Sequence, residues 1–182
     1  FEFGVRWGQN LALMESMRGL YEPYNYNRKI VGFDTFEGFP SVDEKDGDNP
    51  IIKEGSYNVT PNYESYLEQV LGCLEQENPI AHIPTTQLVK GDASETVQTY
   101  LKEHPETIVS MAYFDFDIYE PTRACLEAIK PHLVKGSVLG FDELNFHAFP
   151  GETRAFKEVF DLGACRLQRS PFGVLQSYMV ME

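Results

Sequence analysis

No run of this sequence approaches the ~20 consecutive apolar residues of a membrane-spanning helix, so a helical span is excluded. Cysteine is scarce: Cys73, Cys125 and Cys165 are odd in number, and no CxxC pair occurs. That excludes a disulfide framework and a cysteine zinc site, and suits idle thiols in a reducing cytoplasm, the expected location. Basic residues are also in deficit, 15 Lys and Arg against 28 Asp and Glu, for a net charge of −13. A field of that sign repels nucleic acid and anionic membrane surfaces, which discounts both as partners. There is no internal repeat, no low-complexity tract and no basic-then-apolar leader. The chain opens on Phe1-Glu2-Phe3-Gly4-Val5, which reads as a strand already under way, so a natural N-terminal segment is expected to precede it.

What is present is ordinary for a folded domain: 182 residues, 42% hydrophobic and 24% charged, enough to bury a real core. Apolar, β-rich runs alternate with amphipathic stretches, the pattern of an α/β protein with a mostly parallel sheet and helices on both faces. Seven strands are predicted: Phe1–Val5, Lys29–Phe33, Thr86–Val89, Ile108–Phe114, Ser137–Phe141, Cys165–Gln168 and Gly173–Val180. Helices are predicted near Asn10–Leu20, Asn62–Glu77, Ser94–Glu103, Pro121–Leu133 and Gly151–Phe160. Only Arg169–Phe172 separates the last two strands, too short for a crossover helix, so they should form an antiparallel hairpin. A parallel sheet ending in such a hairpin is the Rossmann-like layout of class I methyltransferases, an analogy of fold that does not establish function. Residues 1–182 read as one such domain, and 41–62, rich in Asp and Glu, reads as a lid-like polar loop.

Four signals carry chemistry. Glu2-Phe3-Gly4-Val5-Arg6-Trp7-Gly8 is an acid followed by a two-glycine turn between strand and helix. It lets backbone approach a ligand closely and points helix amides at it. Arg6 and Trp7 lie inside that turn, where lining a pocket and packing on the next helix are both open. Asp34 ends the second strand, where an acid can accept hydrogen bonds from both ribose hydroxyls; Thr35 follows it. Gly91-Asp92-Ala93 comes after the third strand, and Asp92 is placed either to meet an adenine amino group or to cap the next helix. Last, Asp115 and Asp117 follow a buried strand, and Asp142-Glu143 ends the next one. If those strands are neighbours, Asp115, Asp142 and Glu143 converge, and an all-oxygen set of that kind suits Mg²⁺ or another divalent cation. His147, four residues beyond Glu143, is a candidate base or ligand. His82, His104 and His132 have no partners in the sequence and are assigned no role.

These stretches in this order resemble the macrocin O-methyltransferase family, which methylates sugars in antibiotic biosynthesis. The resemblance rests on Glu2–Gly8, on Asp34-Thr35-Phe36-Glu37-Gly38-Phe39-Pro40, on Gly91–Thr96, on Asp115–Glu120 and on Phe141-Asp142-Glu143. It implies S-adenosylmethionine over the glycine turn, its ribose on Asp34 and its adenine near Asp92. It further implies metal held by Asp115, Asp142 and Glu143, and Asp117 as general base for a sugar hydroxyl. The chain carries Asp142-Glu143 where the family commonly has two aspartates. The implied partner is a small-molecule acceptor, a glycosylated natural product, and a homo-oligomer is the default expectation. Two alternatives compete: a metal-dependent phosphoryl or sugar-nucleotide transferase using Asp115-x-Asp117, and a non-catalytic cofactor-binding domain.

Overall fold

The computed structural model describes residues 1–182. Seven strands form one sheet in the order β3-β2-β1-β4-β5-β7-β6: β1 (Glu2–Phe3), β2 (Ile30–Asp34), β3 (Thr86–Lys90), β4 (Val109–Phe114), β5 (Leu133–Phe141), β6 (Gln168–Arg169) and β7 (Ser177–Val180). The first five pair in parallel, and β7 runs antiparallel to both β5 and β6. This is the mixed, Rossmann-like sheet expected from the sequence, terminal hairpin included. No helix is long and apolar enough to cross a membrane.

Both faces are covered. Helices α1 (Gln9–Tyr21) and α2 (Tyr63–Glu75) close one side over a small cluster that includes Val5, Leu11, Leu67 and Leu71. On the other side α3 (Ala93–Glu103), α4 (Tyr119–Ile129) and α5 (Gly151–Val159) bury Val97, Leu101, Leu126, Ile129 and Phe156 in the larger cluster. Burying a large apolar side chain contributes roughly 1.5–3 kcal/mol, so the larger cluster dominates the stabilisation.

Four phenylalanines run across the middle of that core. Phe33, Phe3, Phe114 and Phe141 lie side by side on β2, β1, β4 and β5, with ring centroids 5.1, 4.8 and 5.3 Å apart and near-parallel planes. The backbone registers agree, pairing Phe3 with Phe33 and Phe114, and Phe114 with Phe141. A register slip of one residue would turn every ring to the opposite face, so this ladder pins four strands to one alignment.

Several boundaries differ from the sequence reading. Helix α4 begins at Tyr119, two residues before Pro121, because proline is tolerated in a first helical turn. It ends at Ile129 and tightens into a 3₁₀ turn over Lys130–His132. The last two strands are shorter than expected, and residues 170–176 connect them. The 41–62 stretch is not a free lid. A 3₁₀ turn over Glu44–Asp46 is capped reciprocally by Asp43 and Asp46. Asp46, only 1% exposed, also reaches across the chain to accept from the Tyr119 amide at the start of α4, at 2.5 Å. Lys45 bonds the Tyr119 hydroxyl at 2.6 Å and Glu158 at 2.9 Å, and Arg154 holds the Lys45 carbonyl at 2.7 Å.

Candidate active site at the carboxyl edge of the sheet

Because the four phenylalanines are in register, the residues that follow them emerge in one row: Asp34, Gly4, Asp115 and Asp142. Hydrogen bonds continue the ladder one step past the strands, from Gly4 N to Phe33 O (3.0 Å), Asp115 N to Phe3 O (2.8 Å) and Asp142 N to Phe114 O (3.0 Å). Gly91 N joins by donating to Asp34 O (2.9 Å). The row is the floor of a cavity of about 300 Å³, lined also by Asp92, Ala93, Thr35, Asp117 and Glu143. Carboxyl strand ends are where open α/β sheets bind ligands.

At one end, Asp34 is held rigidly. Its Oδ2 accepts from Arg6 N at 2.7 Å and its Oδ1 from Phe36 N at 2.5 Å. Each carboxylate oxygen has a second lone pair, so both can still accept from a vicinal diol. Of the two roles left open for it, Asp92 takes the cap of α3 through Ser94 N at 2.9 Å, and it also lines the cavity.

At the other end the acids crowd. Burial raises the Asp115 carboxyl to about 7, with Asp142 and Asp117 adding to the shift by like-charge repulsion. Asp117, 8% exposed, sits at φ 62° inside a γ-turn closed by Ile118 N donating to Phe116 O at 2.7 Å. Positive φ there is strained for a residue with a Cβ. Asp117 and Glu143 lie within hydrogen-bonding reach of each other, and burial together with that repulsion raises the pair, which retains a proton that ordinary carboxylates would have lost. Positive φ recurs around the cavity at Arg6, Phe36 and Tyr57, a concentration of strain of the kind found at functional sites.

Not every sequence candidate joins the cavity. Glu2 is 1% exposed, with Oε2 buried and unpartnered, and it is not among the residues that line the cavity. Gly8 is the left-handed cap of α1, and a Cβ there would come within 2.4 Å of Leu67 Cδ1, so its lack of side chain serves packing against α2. Gly4 lines the cavity and also lets the turn approach the Asp115 carbonyl, which a Cβ would meet at 2.0 Å. His147 is exposed on the β5–α5 connection, its ring beside Phe146 and away from the cavity wall. Sequence reasoning missed the phenylalanine ladder, although a Phe before each edge residue was its visible trace. It also missed the anchoring role of Asp46.

As the side chains stand, no group of three or more His, Cys, Asp or Glu is arranged to hold a metal ion. Asp142 Oδ1 is already taken by Tyr113 OH at 2.9 Å and Gln176 Nε2 at 2.8 Å. The donor chemistry nonetheless suits a hard cation. Glu143 Oε2 is buried without a donor, and the acids oppose one another's ionisation. The cavity suits S-adenosylmethionine as well: a rigid acceptor for a diol stands at one end and an excess of carboxylates for a sulfonium at the other.

The strand order and the terminal hairpin are those of the class I, Rossmann-like methyltransferase fold, with a cavity over its carboxyl edge. A structure of CalS11, described as a calicheamicin methyltransferase, superposes with a TM-score of 0.95 at 45% identity, covering 98% of this chain and 70% of that one. An apo structure of CalS11, described as a TDP-rhamnose 3′-O-methyltransferase, gives 0.84 at 41%, covering 98% and 69%. The chain belongs to the CalS11 family of O-methyltransferases. The O-methyltransferase NovP shares the fold, with a TM-score of 0.70 at 20% identity over 99% of this chain and 70% of NovP. No family model and no curated protein matches the chain. Family membership selects methyl transfer over the phosphoryl- and sugar-nucleotide-transfer alternative.

Proposed function

We propose that the enzyme methylates a hydroxyl of a sugar carried by a nucleotide or a natural product, as in the macrocin-type resemblance of its motifs. The observation that carries this reading is the row Asp34, Gly4, Asp115 and Asp142 along one cavity, in a chain 45% identical to a calicheamicin methyltransferase. Bound S-adenosylmethionine supplies a methyl group activated by its sulfonium.

The residues divide the remaining work. Asp34 accepts from the ribose hydroxyls, while Gly91, Asp92 and Ala93 border the adenine and Thr35 closes the ribose side. Asp115 offers negative charge to the sulfonium end. Asp117 Oδ takes the proton of the acceptor hydroxyl, and burial makes it a stronger base than a solvated aspartate. With one proton held between Asp117 and Glu143, one carboxylate of the pair stays available as acceptor. A divalent cation such as Mg²⁺ would be held by Asp115, Asp142 and Glu143, and would lower the pKa of a hydroxyl bound to it. His147 takes no part. The exposed apolar residues of α1, among them Leu13, Met17 and Leu20, support a homo-oligomer.

Transfer of labelled methyl from S-adenosylmethionine to TDP-rhamnose, with Mg²⁺ or with EDTA, tests the reading. Turnover should require the metal, and Asp117→Asn should reduce it by about 10²-fold or more while cofactor affinity stays within twofold. Full turnover by Asp117→Asn would remove the base assignment, and full turnover in EDTA would remove the metal.

A further inference from the structure

Tyr113 stands directly opposite Gly140 where β4 pairs with β5. Side chains alternate between the two faces of a sheet, so Tyr113 lies on the face away from the phenylalanine ladder, as does Asp142 two residues beyond Gly140. A glycine in a strand interior weakens the sheet and marks a place where another group comes close. Here that group is the tyrosine ring: a Cβ on Gly140 would lie 2.8 Å from Tyr113 Cδ2. With no Cβ in the way, the ring lies over β5 and its hydroxyl donates to Asp142 Oδ1 at 2.9 Å.

A second donor reaches the same oxygen from the strand on the other side of β5. Strand β7 runs antiparallel to β5 with Ser177 opposite Phe141, and continuing that register by one residue sets Gln176 opposite Asp142. Directly opposed residues of an antiparallel pair share a face and touch, and Gln176 Nε2 donates to Asp142 Oδ1 at 2.8 Å. A Cβ on Gly173 would lie 2.5 Å from Gln176 Oε1, so a second glycine clears room for that amide. The two donors fill both lone pairs of Oδ1. Oδ2 makes no hydrogen bond, on a residue that lines the cavity.

We infer that Tyr113 and Gln176 are positioning residues for a divalent cation: they lock the Asp142 carboxylate so that Oδ2 alone is offered to the metal. This rests on the reading of Asp115, Asp142 and Glu143 as metal ligands. Asp142 shares the cavity with Asp115, Asp117 and Glu143, and like-charge repulsion among them would swing an unheld side chain away. Donors from two different strands hold it in place. Neither donor lines the cavity, so both act through Asp142. Hydrogen bonds of this kind orient ligating carboxylates, and losing one costs about 10- to 100-fold in metal affinity.

Titration with Mn²⁺, the free ion measured by its paramagnetic resonance, tests the role without reference to turnover. Tyr113→Phe keeps the ring and removes the hydroxyl; Gln176→Leu removes the amide donor. Each should weaken Mn²⁺ by about tenfold or more, while calorimetry with S-adenosylhomocysteine shows cofactor-site affinity unchanged. In Asp142→Ala, which leaves the other two acids to bind the ion, adding Tyr113→Phe should change Mn²⁺ affinity by less than about twofold, because the hydroxyl has no ligand left to orient. A further loss in that background would assign Tyr113 to the packing of the sheet and overturn the inference, as would loss of S-adenosylhomocysteine in step with Mn²⁺. If the unaltered protein bound Mn²⁺ and both single variants bound it equally well, the orienting role alone would fall. If the unaltered protein bound no Mn²⁺, the metal reading would fall and this inference with it.

Discussion

Glu2 is a buried acid next to the site and outside the residues that line it. One of its oxygens is unpartnered, and burial raises its carboxyl to about 8, partly offset by a hydrogen bond from Asn10. The folded protein therefore holds a proton on Glu2 between about 4.5 and 8, where the unfolded chain has released it. By linkage, the unfolded state binds fewer protons in that window, so stability falls as pH rises through it and levels off above about 8. Glu2→Gln removes the titration and keeps the shape. The melting temperature of Glu2→Gln minus that of the unaltered protein should grow from about pH 4.5 to about pH 8 and then plateau. A difference that is flat across that range would show that Glu2 is not buried as described. Asp115 shifts in the same direction, to about 7, so the unliganded enzyme as a whole should lose stability toward alkaline pH.

At the scale of elements, the informative contact is Asp46 to α4. The residue before α4, Ile118, has no side chain that can cap it, and the first amides of a helix need an acceptor. Asp46, 73 residues earlier in the chain, supplies it at Tyr119 N while its other oxygen accepts from Asp43 N at 2.7 Å. One buried carboxylate thus ties the polar 41–62 segment to the turn that presents Asp117. Gly151 is part of the arrangement, because a Cβ there would lie 2.3 Å from Asp46 Oδ1. Asp46→Ala should destabilise the protein by about 1–3 kcal/mol, the cost of leaving buried donors unpaired. It should speed hydrogen exchange at the Tyr119 and Asp43 amides and lower kcat more than it changes cofactor affinity. Protection of the Tyr119 amide unchanged in Asp46→Ala would rule out the strap. Asp46→Asn, which keeps an oxygen for Tyr119 and loses acceptance from Asp43, should fall between the two.

For the molecule as a whole, fold and site were legible in the sequence to different depths. The alternation of apolar strands with amphipathic helices gave the sheet. The four-residue gap after Gln168 gave the hairpin, because chain length alone forbids a crossover there. Asp34, Asp115 and Asp142 were readable as edge residues because each follows an apolar strand. Their alignment in one row was not readable, since register depends on how Phe3, Phe33, Phe114 and Phe141 stack across strands distant in sequence. Glu2 and Gly8 were assigned to the cofactor because glycine-turn motifs look alike, whether a glycine clears space for a ligand or for a leucine such as Leu67. His147 was proposed from spacing along the chain, and a connection that turns outward after Glu143 placed it in solvent. The 41–62 segment looked like a lid because its composition is polar. What fixes it is one buried aspartate whose partner lies on α4.

The account depends on those edge residues forming a single pocket for one nucleoside. A crystal structure with S-adenosylhomocysteine bound tests this most directly. The ribose hydroxyls should lie within about 3.2 Å of the Asp34 carboxylate, and the sulfur should lie over the Gly4 turn on the side of Asp115. A nucleoside bound at another face, with Asp34 still held only by Arg6 and Phe36, would contradict it.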